Sequence, residues 1–154
     1  MEENKNQQKD VVVIPQEAIK ISNENKSRHR TARQTTIYRD ISNMKYLIVR
    51  LMVDSPRKYA KFFDEMISTV SHAKQSVMLA LDADDDATRF DDLNYAKIMI
   101  EDLQDDAAIL CHMNVISKNG KKEIKKLGQK VAAQAVRLRD YFKGEGVGVN
   151  GNTL

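Results

Sequence analysis

The side chains of this sequence that could carry out chemistry are few and far apart. Its histidines are His29, His72 and His112, and its single cysteine is Cys111. None occurs in the His-Glu-x-x-His or Glu-x-x-His spacing by which helices bind zinc or two iron ions. Adjacent helical residues point about 100° apart, so Cys111 and His112 are interpreted as an ordinary buried thiol beside a surface imidazole. We therefore predict no metal site at these positions.

Carboxylates are concentrated in the segment DADDDATRFDD at residues 82–92. Asp84, Asp85 and Asp86 could bind a cation weakly, but the segment lacks the Gly and distal Glu of an EF-hand loop. A solvated acidic turn is the favoured interpretation. No Gly-rich phosphate loop precedes a helix, and Arg28-His29-Arg30 lacks the Arg–His spacing of small helical ribonucleases. We expect a non-enzymatic protein without catalytic residues or cofactors.

Basic residues are the more distinctive chemical feature, although the net charge is only +3. Residues 121–143 hold eight basic and two acidic residues, whereas residues 82–106 hold ten acidic and two basic residues. The pairs Arg57/Lys58 and Lys121/Lys122 are predicted in first helical turns, where a cation costs a few tenths of a kcal/mol up to ~1 kcal/mol. Cations placed against that preference indicate a polyanion partner.

The predicted nucleic-acid-binding residues fall into four groups along the chain. They are Arg28, Arg30 and Arg33; Arg57, Lys58 and Lys61; Lys118, Lys121, Lys122, Lys125 and Lys126; and Arg137 and Arg139. The alternative is that exposed lysines only keep the helices soluble and that acids of the third helix pair with bases of the fourth.

Apolar residues at alternating steps of three and four predict the helices that position these cations. Ile37, Ile41, Met44, Ile48 and Leu51 predict a first helix over residues 35–53. The same spacing predicts helices at about 56–83, 87–113 and 118–142. Ser55 with Pro56 is predicted to start the second helix, Asp86 to cap the third, and Ser117 or Asn119 to begin the fourth.

Four amphipathic helices with short connections predict an all-α, up-down-up-down antiparallel bundle over residues 35–143. Residues 1–34 are predicted to form a flexible basic arm, in which VVVIP could be a short strand or a docking segment, and residues 144–154 a Gly-rich disordered tail. The bundle places the first and third connections at one end, so their cations should meet there. The acidic second connection, the arm, Arg137 and Arg139 should lie at the other end.

Two further features concern packing between helices. Gly128 lies inside the fourth helix, where it costs roughly 1 kcal/mol against Ala, and is predicted to mark a close helix–helix approach. Apolar residues outside the strict heptads predict a wider core together with exposed apolar surface that suits self-association. These residues are Tyr59, Phe62, Ile67, Met78, Leu79, Leu81, Ile98, Met99 and Ile109.

The sequence also predicts its compartment. No run approaches the ~18 apolar residues of a membrane span, and the N-terminal MEENKNQQKD is not a signal peptide. With one cysteine there is no internal disulfide, which suits a reducing cytoplasm.

Residues 38–142 resemble the four-helix-bundle family that includes the accessory variability determinant of diversity-generating retroelements. Relatives are encoded in intervening sequences of bacterial 23S rRNA genes. The resemblance rests on the Pro-Arg turn in SPRKYAKFFDEM, the second-helix ending HAKQSVMLALDA, the third-helix run LNYAKIMIEDLQDDAAIL, and a Ser or Thr that opens the last helix. The last helix departs from the family, because QKVAAQAVRLRDYF lacks the glycines and Trp of a Glu-x-Gly-Arg-x-Leu-Gly-Gly-Trp ending.

The resemblance implies a cyclic homo-oligomer, a pentameric barrel in the best-known member, whose positive surface binds DNA or RNA and which partners a reverse transcriptase. Two alternatives stay open. One is a structural or adaptor bundle that binds only protein through apolar and acidic faces. The other is an intervening-sequence-type protein of unknown role. A helical ribonuclease is the least favoured hypothesis.

Overall fold

The computed structural model describes the backbone of residues 35–151 and the side chains of residues 35–142. It contains four α-helices, which are α1 (Thr36–Val53), α2 (Ala60–Asp82), α3 (Asp86–His112) and α4 (Lys118–Gly151). A short 3-10 helix, Arg57–Tyr59, separates α1 from α2, and the described backbone has no β-strand. Within residues 35–151, the predicted all-α architecture with four helices is confirmed. The predicted N-terminal arm lies outside the described residues.

Each helix packs mainly against two others, since α1 and α3 both contact α2 and α4. The predicted heptad positions fill the space between them. Fully buried side chains include Ile41, Met44, Ile48, Phe63, Val70, Leu93, Ile100, Leu103, Leu110, Ile124 and Val131. Burying one such side chain contributes about 1.5–3 kcal/mol, so this shared core holds the four helices together.

The apolar residues outside the strict heptads divide into core and surface, as predicted. Leu81 and Met99 are buried, and partly buried neighbours of the core are Tyr59, Phe62, Ile67 and Met78. The side chains of Leu79, Ile98 and Ile109 remain about half exposed.

The predicted start of α2 is wrong. The hydroxyl of Ser55 donates to the carbonyl of Leu51 at 2.7 Å, so it satisfies a free carbonyl at the end of α1 instead of capping α2. Pro56 has an extended ψ of 142°, which a helical residue cannot have. The chain then makes the 3-10 helix, and α2 begins at Ala60 without a side-chain cap.

The other two helix starts lie close to the predicted ones. Asp85, and not Asp86, caps α3, because its carboxylate accepts the backbone N–H of Thr88 at 2.7 Å. This hydrogen bond lowers the pKa of Asp85. Ser117, one of the two predicted residues, caps α4 by accepting the backbone N–H of Gly120 at 3.0 Å.

The fourth helix is longer than predicted. Its helical backbone continues to Gly151, whereas the sequence predicts an end near Phe142 and a tail from residue 144. No proline follows Phe142, and each glycine costs only ~1 kcal/mol in a helix interior, so the backbone hydrogen-bond pattern can continue. Residues 152–154 lie outside the described part of the chain.

Gly128 permits the close helix–helix approach that the sequence predicts. A Cβ atom at this position would lie 2.9 Å from both Cγ and Nε2 of Gln104 on α3. Within the described helices, none has the length and apolarity that a membrane span requires.

Candidate nucleic-acid interface

Helix packing brings two basic segments of the sequence to one end of the molecule. Gly120, in the first turn of α4, is so close to the end of α1 that a Cβ atom on it would lie 3.1 Å from Cδ2 of Leu51. The first connection follows Leu51 within a few residues, and lysines flank Gly120. We call the resulting surface the basic end. It consists of Arg57, Lys58, Lys61, Lys118, Lys121, Lys122, Lys125 and Lys126.

The cations of the basic end are available to a ligand. All are exposed except Lys121, which is half-buried. Across residues 35–142, no acidic side chain forms an ion pair with any of them. The same residues contain no ion pair between α3 and α4, so the alternative in which third-helix acids neutralise fourth-helix bases lacks these contacts.

Helix termini add to the positive potential of the basic end. Neither α2 nor α4 has an acidic residue in its first turn, so no carboxylate there offsets the partial positive charge of the helix N-terminus. Of the predicted pair Lys121/Lys122, Lys121 lies in the first turn of α4 together with Lys118, whereas Lys122 follows that turn. Arg57 and Lys58 instead lie in the 3-10 helix before α2, where the dipole penalty is smaller because it falls off within the first turn.

An open cleft of about 640 Å³ borders the basic end between the end of α3 and the start of α4. Lys118 and Lys121 line it together with Cys111, His112 and Asn114. Cys111 is half-buried and not fully buried as predicted, whereas His112 is exposed as predicted. Both residues reach this wide opening although they lie on different sides of their helix. Asn114 has a φ of 63°, in the left-handed region that Asn tolerates better than most residues. The cleft could admit a phosphate group or a base, and sequence reasoning missed it.

The predicted residues Arg137 and Arg139 lie away from the basic end. Arg139 donates to Oδ1 of Asn94 at 3.0 Å, and its guanidinium lies 5.6 Å from the ring centroid of Phe90. These contacts are at the start of α3, whereas the basic end adjoins its last turn. Arg137 is exposed. The structure therefore does not bring these two arginines together with the lysines of α4, and Arg28, Arg30 and Arg33 lie outside the described residues.

One surface of α3 is strongly acidic. Burial raises the pKa of Asp106, and repulsion from Asp102, Asp105 and Glu65 raises it further. Glu101 is different, because Lys97 pairs with it at 3.2 Å. Such a surface repels phosphates, so a polyanion can approach the molecule favourably only from elsewhere.

Two buried polar residues, which were not predicted from the sequence, connect neighbouring helices. Asp40 on α1 accepts a hydrogen bond from Nε2 of Gln134 on α4 at 2.8 Å. Arg89 on α3 donates to Asp86 at 2.8 Å, and its guanidinium lies 5.0 Å from the ring centroid of Phe142. Both residues occupy positions that a continuous apolar face would fill, which is the only indication that the sequence offers.

No three His, Cys, Asp or Glu side chains within residues 35–142 are grouped so that they could hold a metal ion. Comparisons of the chain with protein-family models, with curated proteins and with solved structures give no match. The family resemblance of segments such as SPRKYAKFFDEM thus stays a prediction, and the charges and geometry of the chain itself carry the functional conclusion.

Proposed function

We propose that this protein is a non-catalytic nucleic-acid-binding bundle whose basic end contacts the phosphate backbone of DNA or RNA. The observation that carries the proposal is the set of eight cations at that end, which have no acidic partner among the described side chains. Phosphate contacts of this kind release counterions, so they supply affinity without requiring sequence-specific side chains.

The proposal includes the up-down-up-down topology. Along α3 and α4, Gly128 faces Gln104 and Arg139 bonds Asn94, so residue numbers rise on one helix as they fall on the other. Contacts between α1 and α4 run the same way. These pairings and the short connections support antiparallel neighbours throughout.

The family resemblance extends the proposal to assembly and partners. On this view the chain forms a cyclic homo-oligomer, a pentamer, that assists the reverse transcriptase of a diversity-generating retroelement in the cytoplasm. Exposed apolar residues on α1 support self-association, because Tyr46 and Val53 lie seven residues apart on one helix face and are 69% and 73% exposed. A ring would repeat the basic end around its axis and multiply its potential.

A second candidate function is a structural or adaptor bundle that binds only protein. The acidic surface of α3, with apolar side chains among its carboxylates, favours it. Light scattering and nucleic-acid titration separate the two candidates. A monomer without nucleic-acid affinity supports the adaptor, whereas salt-sensitive binding by an oligomer supports the proposed function. An intervening-sequence-type protein of unknown role is a separate alternative.

Charge reversal at the basic end tests the proposed function. We expect Arg57→Glu with Lys58→Glu to weaken DNA and RNA binding and to make the slope of log K against log salt less negative by about 2, one unit for each lost phosphate contact. Both residues are exposed, so circular dichroism should show an unchanged fold.

The matched control is Lys45→Glu with Lys97→Glu, which changes the net charge equally at positions in the middle of α1 and α3. It should leave the salt slope unchanged within about half a unit. An equal loss of binding in both double variants would mean that only the net charge matters and would contradict a role for the basic end.

A further inference from the structure

The outward face of α3 combines carboxylates with apolar side chains in an unusual way. Steps of three and four residues place Asp91, Tyr95, Ile98, Asp102 and Ile109 on this one face. The side chain of Tyr95 is 55% exposed, that of Ile98 45% and that of Ile109 47%. We call this surface the acidic–apolar face. It leaves apolar area exposed to water, which is unfavourable unless another apolar group covers it.

The carboxylates of this face have no cationic partner in the described part of the chain. No ion pair joins Asp91 or Asp102 of this face, or the neighbouring Asp105, to a base among residues 35–142. Burial and neighbouring carboxylates raise the pKa of Asp106, and they raise that of Asp92 as well. The face is therefore suited to a segment that is both cationic and apolar.

We infer that residues 11–33 of this same chain dock on the acidic–apolar face of α3. This segment contains the apolar stretches VVVI and AIKI, and its residues 20–33 hold five basic residues against Glu24. The two surfaces are thus complementary both in charge and in apolar character. The inference does not depend on nucleic-acid binding.

The described chain begins at the same end of the molecule as α3. Asp40, near the start of α1, bonds Gln134 of α4, and further along α4 Phe142 lies over Arg89 at the start of α3. The start of α1, the last described side chains of α4 and the start of α3 therefore share one end. Going from Thr35 towards the N-terminus, the segment has its arginines first and its apolar stretches after them. Along α3 the carboxylate of Asp91 likewise comes before the apolar side chains of Tyr95 and Ile98.

The segment is long enough for this path. An extended chain spans about 3.3 Å per residue, so the 21 steps from Ile14 to Thr35 reach roughly 70 Å. The 27 residues of α3 are about 40 Å long at 1.5 Å per residue. The segment can cross one helix and still follow most of α3.

The same chain is a better occupant than a second copy. Two copies that met through this face would bring carboxylates against carboxylates, which opposes association. A segment tethered to the fold instead acts at an effective concentration in the millimolar range, so weak contacts suffice to hold it.

Paramagnetic relaxation in the full chain tests the inference. The probe is a nitroxide on Ser27→Cys in a Cys111→Ser background, with the chain labelled with ¹⁵N. We expect broadening of the amide resonances around Tyr95 and Ile98, none around Lys125 at the other end, and recovery at high salt. Absence of broadening at α3, or broadening that follows α4 instead, would overturn the inference.

Variants and mixing make the test specific. Asp91→Asn with Asp102→Asn should reduce the broadening at α3 at least twofold, whereas Glu123→Gln with Asp140→Asn, which removes the same charge from α4, should not change it. Equal broadening in both variants would contradict docking by charge. Broadening that appears only between a spin-labelled chain and a separate ¹⁵N-labelled chain would assign the face to a second copy and overturn the proposed occupant.

Discussion

Replacing Gln134, which donates a hydrogen bond to the buried carboxylate of Asp40, should weaken the contact between α1 and α4. Asp40 is 2% exposed, and Nε2 of Gln134 donates to its Oδ2 at 2.8 Å. The charged groups of Arg39 and Lys130 lie 3.7 and 3.6 Å from the carboxylate, but more than half of each side chain is exposed. Water therefore screens both ion pairs, and the amide of Gln134 makes the main buried contact.

The expected loss of stability follows from the typical energy of such a hydrogen bond. A hydrogen bond to a charged group contributes about 1.5–3 kcal/mol, and losing it leaves a desolvated carboxylate. Lys130 can move closer and recover part of this loss. We therefore expect Gln134→Met, which keeps the side-chain volume, to lower the free energy of unfolding by about 2 kcal/mol. Asp40→Asn should cost less, about 0–1 kcal/mol, because Asn keeps an acceptor oxygen.

A double-mutant cycle measured by urea denaturation checks the assignment. The cycle compares Asp40→Leu, Gln134→Met and the variant that carries both replacements. The double variant removes both polar partners, so its loss of stability should be smaller than the sum of the losses in the two single variants. The reasoning would be refuted if Gln134→Met stayed within ~0.5 kcal/mol of the unsubstituted protein. Additive single effects in the double variant would also refute it.

Three other replacements test packing and charge by thermal denaturation. Gly128→Leu should destabilise by about 1–3 kcal/mol, because a Cβ atom would already meet Gln104 at 2.9 Å; an unchanged melting temperature would contradict the close approach. Asp106→Asn should raise the melting temperature at neutral pH, because the raised pKa means that the ionised carboxyl is disfavoured in the fold. This advantage should disappear as pH falls below the ordinary pKa of 3.8, where the carboxyl is protonated in both states, and an advantage that persists in acid would contradict the assignment. Arg89→Met should lower the melting temperature because it leaves Asp86 without its partner at 2.8 Å, and a gain in stability would show that the buried guanidinium costs more than it contributes.

Apolar periodicity was sufficient to predict the helices and their core, because burial is set by which residues share a helix face. Ile41, Met44 and Ile48 were all predicted on the core face of the first helix, and all are fully buried. The start of α2 could not be predicted in the same way. A Ser after a helix can bond back to the preceding turn or forward to the next helix, and Ser55 bonds back. The local sequence allows Ser55 either hydrogen bond, so the packing around Leu51 determines which one forms.

The candidate site was predictable only in part. The cations of the first connection and of α4 were identified from their positions in the sequence, and the contact between Leu51 and Gly120 brings their segments to one end. The contact of Arg139 with Asn94 joins residues 45 positions apart, so it depends on the register of two helices, which no local pattern specifies. The cleft beside Cys111 depends on the turn between α3 and α4 for the same reason.

The salt dependence of nucleic-acid binding by the full chain tests the central claim most directly. Affinity for a DNA duplex and for a single-stranded RNA would be measured between about 50 and 200 mM salt. If about six of the eight cations of the basic end contact phosphates of the duplex, log K should fall linearly with log salt with a slope near −5. No binding at the lowest salt, or binding without a salt slope, would contradict the claim that the basic end holds a nucleic acid.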